Sequence, residues 1–189
     1  QQYLSGPLGQ VYVARYCTAE QKAQLTAMVD KFRDAYRVLL SNETWLSEET
    51  RAQAVEKLNK MTVRVLYPDT FKDYSGLSLE GSTTLLQAVS TVNHFQFGVN
   101  AQRVGQPVDL SYWDLETLPT TTVNAYYAPR ENSMNILAGY LADGVMFDMN
   151  AAIEENYAGM GDTIGHEMSH AFDTIGAEFD ADGRFRNWW

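Results

Sequence analysis

The stretch Gly161–His170, GDTIGHEMSH, places two histidines four residues apart with a glutamate directly after the first. On an α-helix, positions i and i+4 lie one above the other on the same face, so this spacing predicts a helix. His166 and His170 then aim their imidazole nitrogens at one point, as two ligands of a tetrahedral zinc ion require. Glu167 lies about 100° around the helix axis from His166. It is poorly placed to join the same ligand set but can reach a water beside the ion, the position of a general base in metal-assisted peptide hydrolysis. Gly159, Gly161 and Asp162 offer a flexible lead-in and an N-cap for this helix, and Gly176 is placed to end it. Asp173, three residues after His170, can orient that histidine from behind, or serve as a surface or capping residue.

The residues that follow do not complete the ligand set. Metzincins continue with glycine and a third histidine, but here Asp173 and Gly176 occupy those positions. The later acids Glu178, Asp180 and Asp182 follow the helix at once, and FDADGRF reads as a tight turn around Gly183. That turn also has the look of half a calcium loop, without the remaining ligands. By spacing alone the site holds two ligands and a base.

The rest of the chain supplies a mostly helical frame. Leu25, Met28, Val29, Phe32, Tyr36 and Leu39 line one face of a helix over residues 18–40, with Thr18 and Gln21 spaced as a capping box. Ser47 caps a second helix, with Glu48 and Glu49 in its first turn and Ala52, Val55, Leu58 and Met61 as its apolar stripe. YPDTFKDYSG is a turn-rich connector, and a third helix is expected over residues 82–97, with Leu85, Val89 and Val92 on one side. His94, near its end, is given no role. Beyond Pro107, TTTVNAYYA and NSMNILAGYL read as two strands joined at PREN. The fold class is therefore α+β: a helical region over 1–105, then a strand pair and the histidine helix over 106–189.

Composition excludes several partners. A net charge of −10 disfavours nucleic acid. No apolar run reaches the roughly 18 residues of a membrane span, so this segment is expected to make no membrane contact. The N-terminus lacks the basic start and apolar run of a signal peptide. The single cysteine, Cys17, reads as a buried structural thiol rather than a nucleophile.

Three motifs in register, VNAYYAPREN, ENYAGMGDTIGHEMSHAFD and FDADGRFRNWW, resemble the neprilysin family of zinc endopeptidases, which includes endothelin-converting enzymes and the bacterial oligopeptidase O type. Upstream, PLGQVYVARY, TWLSEETRAQAVEKLNKM and LYPD are similar to the helical region that precedes the family's catalytic motif. The resemblance implies a thermolysin-like catalytic domain binding one Zn2+ per complete site, with His166 and His170 as ligands and Glu167 as catalytic base. It assigns Asn124 and Ala125 to an edge strand that holds the substrate backbone. Ala171, Thr174 and Leu137 depart from the family's usual Gly, Asp and Pro without removing a reacting group. The resemblance also implies a fragment lacking both ends. The family's third ligand, a glutamate on a later helix, its transition-state histidine and its substrate-binding arginine would all lie beyond Trp189. Peptides are the expected substrates, and the segment carrying the third ligand the expected partner. An extracytoplasmic or cell-surface location is preferred to a cytoplasmic one. The competing reading is a non-catalytic peptide- or protein-binding fragment with an incomplete zinc site.

Overall fold

Capping chemistry in the sequence fixes where most helices begin. The computed structural model describes residues 3–142, 144 and 146–189. Thr18 and Gln21 exchange the two hydrogen bonds of a capping box at the start of α2 (Ala19–Asn42). Ser47 accepts from the Thr50 N–H ahead of α3 (Glu48–Lys60). The third predicted helix is α4 (Leu85–Gln102), later and longer than expected because Thr84 and Gln87 form a second capping box. A helix that the sequence reading did not anticipate, α1 (Ser5–Tyr16), precedes these; its Pro7 falls in the first turn, where no backbone donor is lost.

The sheet has three strands rather than the two expected. β2 (Ala125–Ala128) and β3 (Ser133–Leu137) form the predicted antiparallel pair, both shorter than the segments that suggested them. Pro129–Glu131 makes a short 3-10 turn between them, and Asn132 closes it in the left-handed region at φ 44°. β1 (Thr62–Leu66) follows α3 directly and runs parallel to β3, giving the order β1-β3-β2. Leu137, at a position where the family often has proline, continues the ladder: its N–H donates to the Asn124 carbonyl at 3.1 Å. Alternation then sorts the two faces. Val65, Ala125, Met134 and Ile136 join α2, α3 and α5 in the main core, while Leu137 packs on Trp113 and Leu115 behind the sheet. On that rear face Arg64 is bonded to Glu131, Asn135 and the Leu110 carbonyl.

The histidine helix, α5 (Ile153–Ser169), corrects the predicted boundaries. Its N-cap is Ala152 and its C-cap His170, so Gly159, Gly161 and Asp162 are interior residues, not a lead-in. Glu154 and Glu155 in the first turn favour the early start through the helix dipole. The interior glycines serve close packing. A Cβ on Gly159 would lie 2.5 Å from the Met146 carbonyl oxygen, and one on Gly161 2.8 Å from the Phe32 ring. Gly176 does not end the helix; it opens the short turn Gly176–Glu178, passing so close beneath α5 that a Cβ would collide with the His170 carbonyl. Cys17 is half-buried against the main core, and burial pushes its thiol up to about 11.

Replacing an interior helical glycine by alanine normally stabilises by up to about 1 kcal/mol. Gly165→Ala should show that gain, since its new methyl meets Phe32 at an ordinary 3.7 Å. Gly159→Ala should instead lower the melting temperature, because the methyl runs into backbone that cannot yield cheaply. Thermal melts of the two variants, compared with the parent, check the opposite signs.

Candidate metal centre

α5 delivers the predicted convergence. The Nε2 atoms of His166 and His170 approach to 3.0 Å, close to the roughly 3.3 Å that two ligands about 2.05 Å from a tetrahedral ion would keep. Donor atoms of His166, Glu167 and His170 lie within 4.8 Å of one another, a group that could hold a metal ion. Asp173 stands behind His170, its Oδ2 2.6 Å from Nδ1. An ionised carboxylate only accepts, so Nδ1 carries a proton, which leaves Nε2, the nitrogen nearer His166, as the one available to a metal ion. Asp173 is itself fixed by N–H groups of Ile175 and Gly176, at 2.9 and 2.7 Å. Burial acts to raise its pKa, but these donors and His170 outweigh it and hold the carboxyl below its ordinary value.

Glu167 occupies a different environment. It is buried, and the loss of water raises its pKa against the opposing pull of both histidines and the backbone N–H of Tyr127. That N–H belongs to β2, which packs on α5 as the sheet's outer strand. The bond from Leu137 N–H to Asn124 sets the phase of the antiparallel ladder. Asn124, Tyr126 and Ala128 therefore spend their backbone groups on β3, while Ala125 and Tyr127 turn theirs to the free edge, toward the histidine helix. Asn124 is exposed, with its side-chain oxygen on the Ala125 N–H at 3.0 Å. The predicted site residues thus fall on β2 and α5 and on the residues just beside them, Asn124 before the strand and His170 and Asp173 after the helix.

The FDADGRF turn is committed elsewhere. Asp180 accepts from the N–H groups of Asp182 and Arg184 and from Arg186 Nε at 2.7 Å, which uses its oxygens as protein acceptors rather than as cation ligands. His94 lies on α4, outside the group of donors around His166.

Three supporting residues escaped the sequence reading: Lys57, Tyr127 and Asn132. Lys57 is fully buried and donates to the carbonyls of Ala171, Gly176 and Phe179 at 2.7, 2.6 and 2.6 Å. Its signal was present, because Ala54, Lys57, Leu58 and Met61 hold the i, i+3, i+4, i+7 spacing of a buried face. A charge inside that stripe demands partners.

Two models described as peptidase family M13 match residues 1–68 and 124–189, together more than two thirds of the chain and including every candidate site residue. The chain belongs to peptidase family M13. Neprilysin-1 of Trittame loki is 31% identical over 192 aligned residues, covering 96% of this chain and 26% of the relative. The structure of PEPO from Lactobacillus rhamnosis superposes with a TM-score of 0.88 at 37% identity, over 99% of this chain and 29% of that one. Zinc metalloprotease ZMP1 of Mycobacterium tuberculosis, solved with an inhibitor, matches with a TM-score of 0.81 at 35% identity, over 99% of this chain and 27% of that one. This M13 chain spans a third or less of the length of the curated relatives it matches.

The Asp180 carboxyl is held below its ordinary value: burial would raise it, but the Arg184 and Asp182 amides and Arg186 prevail. Its stabilising contribution is therefore complete above the unfolded value near pH 4 and is lost as pH falls through the lower folded value. Asp180→Asn should lower stability at pH 7, with the gap from the parent closing below about pH 4. Urea unfolding at a series of pH values measures this.

Proposed function

We propose that the chain carries the histidine-helix half of a zinc metalloendopeptidase active site that cuts peptide bonds in oligopeptides. The carrying observation is the convergence of His166 Nε2 and His170 Nε2, oriented through Asp173, beside a buried Glu167 that faces an open strand edge. His166 and His170 would hold the ion, and a glutamate from outside these 189 residues would complete its ligands. Zinc so held supplies a polarised carbonyl and a more acidic attacking water.

The protein's own groups do the remaining work. An extended peptide added along the outer edge of β2 meets the carbonyls of Ala125 and Tyr127 at strand spacing, their N–H groups being held by Asn124 and Glu167, and the Asn124 amide nitrogen stands at the strand's start to give a further polar contact. That path carries the scissile bond past the Glu167 carboxylate. Desolvation makes Glu167 a better base than a carboxylate in water; it accepts a proton from the attacking water and returns it to the leaving amine. The names of the M13 relatives, among them a neprilysin and a zinc metalloprotease, support the same chemistry.

A second reading is favoured by one observation: among the described residues, the donor group contains two histidines and only the glutamate needed as base. In that reading the chain binds peptides on β2 without turning them over. Zinc titration followed by cleavage of an internally quenched peptide separates the two. The chain should bind one zinc and lose it in His166→Ala and His170→Ala, with little hydrolysis until a segment bearing the third ligand is joined to it. In that extended protein Glu167→Gln should lower kcat by about 100- to 10,000-fold. Unchanged turnover in the Glu167→Gln variant would end the mechanism.

A further inference from the structure

A buried cation sits outside the metal centre yet reaches both of its arms. Lys57, on α3, is the bulkiest of the fully buried side chains, and its ammonium is enclosed by three carbonyls from one short segment. That segment, residues 171–179, begins where α5 gives out at His170, and while turns within it supply donors to the carbonyls of Asp173, Ile175 and Gly176, those of Ala171 and Phe179 turn to Lys57. The segment also carries Asp173, whose carboxylate holds the His170 ring. The main chain of Lys57 serves the second arm. Its carbonyl accepts from Asn132 Nδ2 at 2.9 Å, and Asn132 Oδ1 accepts from the Tyr127 hydroxyl at 2.8 Å. Tyr127 presents its backbone N–H to Glu167.

We propose that Lys57 is a positioning residue of the metal centre, its ammonium fixing the loop that sets the His170 tautomer, while the main-chain carbonyl at the same position, which any residue would supply, holds Asn132 and the strand that faces Glu167. The role rests on the metal-site reading for its consequence, not for its geometry. A leucine or methionine would fill the same volume without the cost of burying an ammonium, but would leave the Ala171 and Phe179 carbonyls without their donor and the Gly176 carbonyl with the Phe179 N–H alone. The cation has aromatic neighbours as well, 5.2 Å from the Trp188 ring and 5.9 Å from that of Tyr127, which fix its approach without replacing any of the three bonds.

The test compares Lys57→Met with Leu58→Ala, a large-to-small change at the adjacent, fully buried core position. Both should lose thermal stability, so stability alone does not distinguish them. The deciding readout is the long-range 1H–15N spectrum of the chain's three histidine rings in metal-free protein. The parent and Leu58→Ala should show His170 as the Nδ1–H tautomer, whereas Lys57→Met should show a mixture of tautomers. Zinc affinity should fall by about 10- to 100-fold in Lys57→Met, the range for loss of support behind a ligand, and hold in Leu58→Ala. An unaltered His170 tautomer in Lys57→Met, or an equal loss of affinity in Leu58→Ala, overturns the proposal. If Lys57→Met does not fold, Lys57→Gln, whose amide is one bond shorter and carries two N–H protons for three carbonyls, is read in the same way: a shifted tautomer supports the role and an unshifted one overturns it. Failure of the parent to bind zinc would instead sink the metal-site reading, while the tautomer comparison would still decide the role of Lys57.

Discussion

The arrangement depends on an ammonium group held away from water. Burying the charge of Lys57 is expensive, and loss of solvent lowers its pKa to about 8 despite the nearby charges of Asp180 and Asp173. Three carbonyls at 2.6–2.7 Å offset that cost, one for each proton of the ammonium. Because Ala171, Gly176 and Phe179 all converge on this one group, the chain must double back beneath the end of α5. Gly176 is the residue that can make that passage, since any side chain there would strike the His170 carbonyl. The loop in turn fixes Asp173, and Asp173 fixes a ring nitrogen. A constraint that begins as a desolvation penalty on α3 ends as the orientation of a ligand lone pair.

The second requirement is a strand edge at the right distance and in the right phase. β3 is enclosed, parallel to β1 on one side and antiparallel to β2 on the other, so β2 alone turns its outer edge to α5. A slip of one residue in the β2–β3 register would direct the backbone groups of Ala125 and Tyr127 inward and remove both from the site. Leu137 pins the register. It pairs with Leu66 on one side, and its N–H holds Asn124 on the other. Proline at this position would lack that donor, so the departure from the family's usual residue here is one that strengthens the ladder.

Sequence carried much of this, unevenly. Local signals were readable: the capping box at Thr18, the serine cap at Ser47, and the i, i+4 histidines all act within one turn of the chain, although the second box, at Thr84, was passed over. The membership in family M13 and the α+β class were also legible from motifs and periodicity. What the residues hid was non-local. β1 is only five residues long and finds its partner some seventy positions later, so nothing in TVRVL itself announces a parallel strand. The glycines of α5 were misread because glycine signals both a break and a close approach, and only the positions of Met146 and Phe32 choose between them. Lys57 was passed over for a related reason. A lysine on an amphipathic helix is usually solvated, and its burial follows from carbonyls more than a hundred residues away.

These non-local features are the ones that turn a short motif into a site. Two histidines and a glutamate on an isolated helix would sample several rotamers and either ring tautomer. Here the ring of His170 has one proton position because Asp173 accepts there, and Asp173 has one orientation because two backbone N–H groups and the Lys57-bound loop leave it no other. Glu167 differs from Asp173 in environment rather than in chemistry. One carboxyl is ringed by donors and kept ionised; the other is desolvated and made more basic. Setting two carboxyls to opposite purposes six residues apart requires a helix end, a returning loop and an edge strand in contact. The buried ammonium is what brings the loop to the helix, and the main-chain carbonyl of the same residue, through Asn132, is what ties in the strand.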